Sequence, residues 1–89
     1  VISGFGDRWK LELRETVEMI VRKLVDNVEA VDVREIEKGG SSVLIEIRVA
    51  EDDMGKLIGR QGKTVRALRS LLHAAGLKQR RRYQLEIVE

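Results

Sequence analysis

The chain has no cysteine, which excludes a disulfide scaffold, a thiolate zinc site and a thiol nucleophile. No proline, low-complexity stretch or internal repeat breaks it into parts. Aromatic residues are scarce: Phe5, Trp9 and Tyr83 are the whole set. The single histidine, His73, has no second imidazole with which to hold a metal, so no chemistry is assigned to it. No apolar run approaches the roughly 20 residues that cross a bilayer, and no signal-peptide pattern stands at the front. The chain therefore reads as soluble and cytoplasmic, with no membrane association. Eighty-nine residues suffice for one domain and one modest core. The chain lacks an initiating Met, and Val1–Gly6 shows no periodicity. Residues 1–10 accordingly read as an extension or the trimmed end of something longer, and residues 11–89 as the domain.

From about Asp7 to Asp26, Leu13, Val17, Ile20, Val21 and Leu24 fall on one helical stripe. Glu18 and Arg22 stand four apart in the favourable order. Val31–Arg34 alternates like a half-buried strand, and Ile36 falls out of phase, suggesting a bulge or an early end. Lys38-Gly39-Gly40-Ser41 makes a turn, its paired glycines supplying positive φ. Val43, Ile45, Ile47 and Val49 then alternate cleanly as one core face of a strand. Glu51-Asp52-Asp53 offers capping and first-turn acids to a short helix bearing Met54, Leu57 and Ile58, which Gly59 ends. A longer helix from about Lys63 to Ala75 buries Val65, Leu68, Leu71, Leu72 and Ala75, turns Arg66, Arg69 and His73 outward, and closes on Gly76 as its C-cap. Tyr83, Leu85 and Ile87 form a third strand. The order α-β-β-α-α-β predicts an α+β two-layer sandwich, a three-stranded sheet with three helices on one face. The other sheet face, with Glu46, Arg48, Gln84 and Glu86, reads as wet.

Charge is divided along the chain. The stretch from Lys56 to Arg82 carries nine Lys and Arg residues and no Asp or Glu, while the remainder holds eight bases against fifteen acids. A formal net charge of +2 thus conceals a face attractive to anions. At the front of this stretch stands Gly59-Arg60-Gln61-Gly62. A glycine pair three apart is a weak signal by itself. Its position between two helices, with bases at Lys56, Arg60, Lys63 and Arg66, sharpens it. Side-chain-free residues let a sugar-phosphate chain approach the backbone, and the following helix directs its unpaired N–H groups at the turn. The bland reading is a tight interhelical turn with no ligand.

The run Met54-Gly55-Lys56-Leu57-Ile58-Gly59-Arg60-Gln61-Gly62-Lys63-Thr64-Val65 resembles the signature of the K-homology (KH) family, and the element order is similar to its type II arrangement. The resemblance covers about Leu13 to Glu89 and looks closest to the small bacterial single-KH RNA-binding proteins of the KhpA type. Leu24-Val25-Asp26-Asn27, Val49-Ala50-Glu51-Asp52-Asp53-Met54-Gly55 and Leu85-Glu86-Ile87-Val88-Glu89 support the narrower match. It implies binding of single-stranded RNA, about four nucleotides held against the loop. Gly59 and Gly62 would form the floor, Arg60 and Gln61 the tip, and Lys56 and Lys63 phosphate contacts, with Arg66 beyond. The bases would turn toward a groove formed by Ile58, Val65 and the edge of the Val43–Val49 strand. The family also implies a homodimer, or a heterodimer with a second KH protein, and a place in post-transcriptional regulation.

Other readings stand beside this one. Lys78, Arg80, Arg81 and Arg82 serve either as a secondary basic patch on phosphate or as a soluble guard on the last strand. Gly55 reads as a packing concession, and Glu51-Asp52-Asp53 lacks the further ligands of a calcium loop. Gly62-Lys63-Thr64 ends like a P-loop, yet position 57 is Leu where that motif needs glycine. No Ser-His-acid set or carboxylate pair lies near the basic stretch, so neither enzyme nor cofactor is expected. The rival class is a protein-interaction or dimerisation domain with little RNA binding; single-stranded DNA is a third ligand.

Overall fold

The computed structural model describes residues 8–88. Its elements are α1 (Arg8–Leu24), β1 (Asp32–Gly39), β2 (Ser42–Arg48), α2 (Met54–Ile58), α3 (Lys63–Gln79) and β3 (Arg82–Val88). The fold is α+β, a three-stranded sheet with three helices, as the periodicities predict. Helix α1 begins at Arg8, so its first turn takes in residues assigned above to the extension; the rest of that extension lies outside the described residues.

The sheet order is β1-β2-β3, antiparallel between the first two and parallel between the last two. Parallel pairing requires a crossover, and α2 and α3 supply it. One sheet face, through Val33, Val43, Ile45, Ile47 and Tyr83, joins Val17 and Val21 of α1, Leu57 of α2 and Leu68 and Leu72 of α3 in a single core. Each of its fully buried aliphatic side chains contributes roughly 1.5–3 kcal/mol against solvent exposure.

Several expectations change. Ile36 stays in register opposite Leu44, and the ladder slips only between Glu37 and Gly39, so the extra residue is Lys38 rather than Ile36. Ile36 was out of phase because it lies on the far face of the sheet. There Leu44 is buried, so that face carries an apolar patch among its charges. At the end of α1 the stripe runs past the helix: Leu24 is 37% exposed and Val25 takes the core position. In α3, Leu68 and Leu72 are buried, whereas Leu71 is 40% exposed, because one stripe meets the sheet and its flank does not.

Gly76 does not cap α3. The helix continues to Gln79, and Arg80, in the left-handed region at φ 56°, ends it. A Cβ at Gly76 would lie 2.3 Å from the Arg81 carbonyl oxygen and 3.2 Å from the Tyr83 ring. The glycine is there because β3 turns back across the helix. Burial, followed by the charge of Glu35, pushes the Tyr83 hydroxyl up to about 12.

Candidate nucleic-acid interface

The loop between α2 and α3 is built on left-handed backbone. The Gly59 N–H donates to the Gly55 carbonyl at 2.9 Å, closing α2, and the Gly62 N–H donates to the Gly59 carbonyl at 3.1 Å, closing a single 3-10 turn. Gly59, Gln61 and Gly62 have φ of 78°, 57° and 74°. For Gln61 this conformation costs on the order of 1 kcal/mol, a strain of the kind that collects at functional turns. The two glycines serve different ends. A Cβ at Gly59 would meet Thr64 Oγ1 at 2.3 Å, so this residue admits its own neighbour. A Cβ at Gly62 would meet only Val65 and Arg66 at 3.9 Å, so its backbone twist is what demands glycine, and its outer side is open.

Arg60, Gln61, Lys63 and Arg66 are exposed around this turn, while Gly59, Gly62 and Val65 are half-buried. Arg66 Nη2 donates to the Gln61 carbonyl at 2.6 Å, which braces the tip. No carboxylate among the described residues pairs with Arg60, Lys63 or Arg66, nor does a side chain cap the start of α3. Ile58, at the end of α2, is 39% exposed.

Behind the loop the acids do other work than expected. Glu51-Asp52-Asp53 forms a 3-10 turn in which no side chain caps α2. Asp53 is instead buried and accepts the Asn27 N–H at 3.0 Å and the Asp26 N–H at 3.2 Å, tying the segment after α1 to the start of α2. The Asn27 N–H holds the Asp53 carboxyl below its ordinary range against the opposing effect of burial. Lys56 donates to Asp26 and lies 3.5 Å from Asp53. The Asp26 hydrogen bond raises its ammonium above the usual value, so this base is engaged within the protein. Gly55 does not make room for a neighbour: nothing stands within 4 Å of a Cβ there, which leaves an exposed, bare patch of α2 just before the loop.

The proposed strand edge also moves. The Val43–Val49 strand is central and both its edges are paired; the free edge beside α3 belongs to β3. Between α3 and β3 runs a cleft of about 380 Å³ lined by Arg69, Leu72, His73, Tyr83, Gln84 and Leu85. Sequence reasoning placed Arg69 and His73 on an outward helix face but missed the strand that makes that face one wall of a groove. Thr64 and Asp53 were missed as supports of the loop, and only their tertiary partners reveal them. The secondary patch, Lys78, Arg80, Arg81 and Arg82, sits at the opposite end of α3 from the loop. No cluster of three potential metal ligands occurs among the described residues, and no helix there is long and apolar enough to cross a membrane.

Comparison with known proteins gives one consistent result. The family model described as the KH domain of KhpA/KhpB matches residues 14–87. The chain is 49% identical over 74 residues to the RNA-binding protein KhpA of Caldanaerobacter subterraneus subsp. tengcongensis, covering 83% of this chain and 97% of that protein. It is 48% identical over 77 residues to the RNA-binding protein KhpA of Aquifex aeolicus, covering 86% and 96%. For the protein of that name from Borreliella burgdorferi the figures are 47% over 75 residues, 84% and 90%. No solved structure gives a significant match. With the glycine-paired turn between two short-linked helices, the parallel β2–β3 crossover and these relatives in agreement, the chain belongs to the KhpA/KhpB family of KH domains.

Proposed function

We propose that this chain is a non-catalytic binder of single-stranded RNA, acting inside the cell, which grips backbone phosphates at the Gly59–Gly62 turn and selects sequence weakly. The observation that carries this reading is the exposed left-handed turn at the uncapped start of α3, ringed by Arg60, Lys63 and Arg66 without a carboxylate partner among the described residues. Backbone N–H groups at a helix start and unpaired cations both favour phosphate oxygen. Lys56 is assigned here to holding α2 in place through Asp26 and Asp53, one step removed from the ligand. Ile58 and Val65 offer apolar contact to a base, and the α3–β3 cleft extends the path. The motif lacks an aromatic platform, so affinity is modest and mostly electrostatic.

Partner choice follows from α3. Leu71 and Leu77, 40% and 70% exposed, stand about 120° apart around it and offer two separate apolar contacts, which support pairing with a second copy or with another KH protein. The same residues favour the rival reading, in which protein contact is the main activity. Replacing Arg60 and Gln61 by Asp separates the two. Each new carboxylate about 4 Å from a phosphate costs roughly 1 kcal/mol in water, so affinity for a mixed-sequence RNA should fall tenfold or more. Unchanged affinity, with circular dichroism showing an intact fold, would sink the RNA reading. A parallel titration with DNA of the same sequence decides between the two nucleic acids.

A further inference from the structure

The arginines after α3 take no part in the turn at Gly59–Gly62. At about 1.5 Å per residue, a helix the length of α3 holds its two ends roughly 25 Å apart. At the far end the β1–β2 turn meets the start of β3: the Arg82 N–H donates to the Ser41 carbonyl at 2.8 Å, and the Arg81 N–H to the Gly76 carbonyl at 2.9 Å. These elements enclose a cleft of about 570 Å³ whose lining includes Gly39, Gly40, Ser41, Ser42, Arg80 and Arg82. A Cβ at Gly39 or Gly40 would meet nothing within 4 Å, so the space over the turn is open. Arg81 is occupied, 3.8 Å from Glu37. Arg80 and Arg82 are exposed, and the guanidinium of neither makes a hydrogen bond or ion pair with a described residue.

Arg80 is also a costly choice for its position. A left-handed residue that ends a helix is ordinarily Gly or Asn, which adopt φ near 56° with little strain. The backbone gives no reason for arginine there. The negative end of α3, worth about half a charge, opposes an anion at this place. Glu37 opposes it too, but is already matched by Arg81. Arg80 and Arg82 then bring two full positive charges to the cleft, and the serine hydroxyls bring further donors.

We propose that this cleft is a second phosphate seat, taking a phosphodiester farther along the same RNA strand that the Gly59–Gly62 turn holds. The inference rests on the function proposed above. The cleft lined by Arg69, His73 and Gln84 lies between the two seats on α3 and gives the strand a path. The linings of the two clefts include no acid, which suits a continuous polyanion better than an isolated acidic side chain of a protein partner.

The test is Arg80→Asn with Arg82→Gln, set against RNAs of about four and about sixteen nucleotides, the range a single-domain site spans. The variant should bind the short RNA like the parent, lose about tenfold on the long one, and lower the salt slope for the long RNA by about 1.4, the value for two phosphates on a single strand. Its melting temperature should not fall, because Asn accepts the left-handed backbone. If it does fall, Arg82→Gln alone, at a position in β3, should still give part of the long-RNA loss. An unchanged long-RNA affinity and slope, or an equal loss on both lengths, overturns the second seat. Failure of the first seat looks different: Arg60→Asp with Gln61→Asp would then leave the short RNA bound as before.

Discussion

At Asp53 one buried carboxylate accepts two backbone N–H groups from the segment that follows α1, and through them fixes where α2 and the loop begin. Its folded pKa lies below the ordinary 3.8. Such a group contributes stability that is fully present above the unfolded value and is lost as pH falls through the folded one. The gap in melting temperature between the parent and Asp53→Asn should therefore be widest near neutral pH and narrow as pH falls below about 4. Thermal melts across that range check it; a gap that stays constant would show that the carboxylate's charge is not linked to folding. Nothing local in Glu51-Asp52-Asp53 distinguishes a capping acid from one whose partners lie 26 and 27 residues back. Gln61 and Arg80 are similar cases: neither residue type announces a left-handed backbone, so both escape a reading by composition. Gly59 and Gly62, flanked by bases, were legible because spacing and charge are both local.

Two helical glycines carry opposite meanings. Gly55 on α2 has open space around it, so Gly55→Ala should raise stability by about 0.5–1 kcal/mol through helix propensity and a less free unfolded chain. Gly76 on α3 faces the Arg81 carbonyl, so Gly76→Ala should lower stability by about 1–3 kcal/mol as the helix and β3 are forced apart. Chemical denaturation of both variants checks the pair, and a shared sign would show that the packing described for one of them is mistaken. Apolar periodicity revealed all six elements because each turns an apolar stripe or face to the shared core. It did not reveal that α3 runs past Gly76, since a glycine late in a helical stripe looks like a stop. Nor could it reveal that β2 is central, because that depends on Ser42 pairing with Arg82, forty residues away in the chain.

Across the molecule the bases gather on the stretch that bears the loop, while the acids lie elsewhere. If the turn neutralises about four phosphates, the affinity for a short RNA should fall with salt at a log-log slope near −3. Titrations at several ionic strengths measure it, and a slope flatter than about −1 would mean that phosphate is not the main contact. Base preference is not legible in the motif for a physical reason: its charged side chains and backbone N–H groups suit phosphate, which every nucleotide carries, and no aromatic platform stands among them.

The parallel pairing of β2 with β3 has a temporal side. During synthesis, residues 42–79 leave the ribosome before the strand that completes the sheet, and the middle strand waits with one edge unsatisfied. The loop's helices pack against that unfinished layer, so the nascent chain reaches the folded geometry of the loop only when residues 82–88 are free to close the sheet.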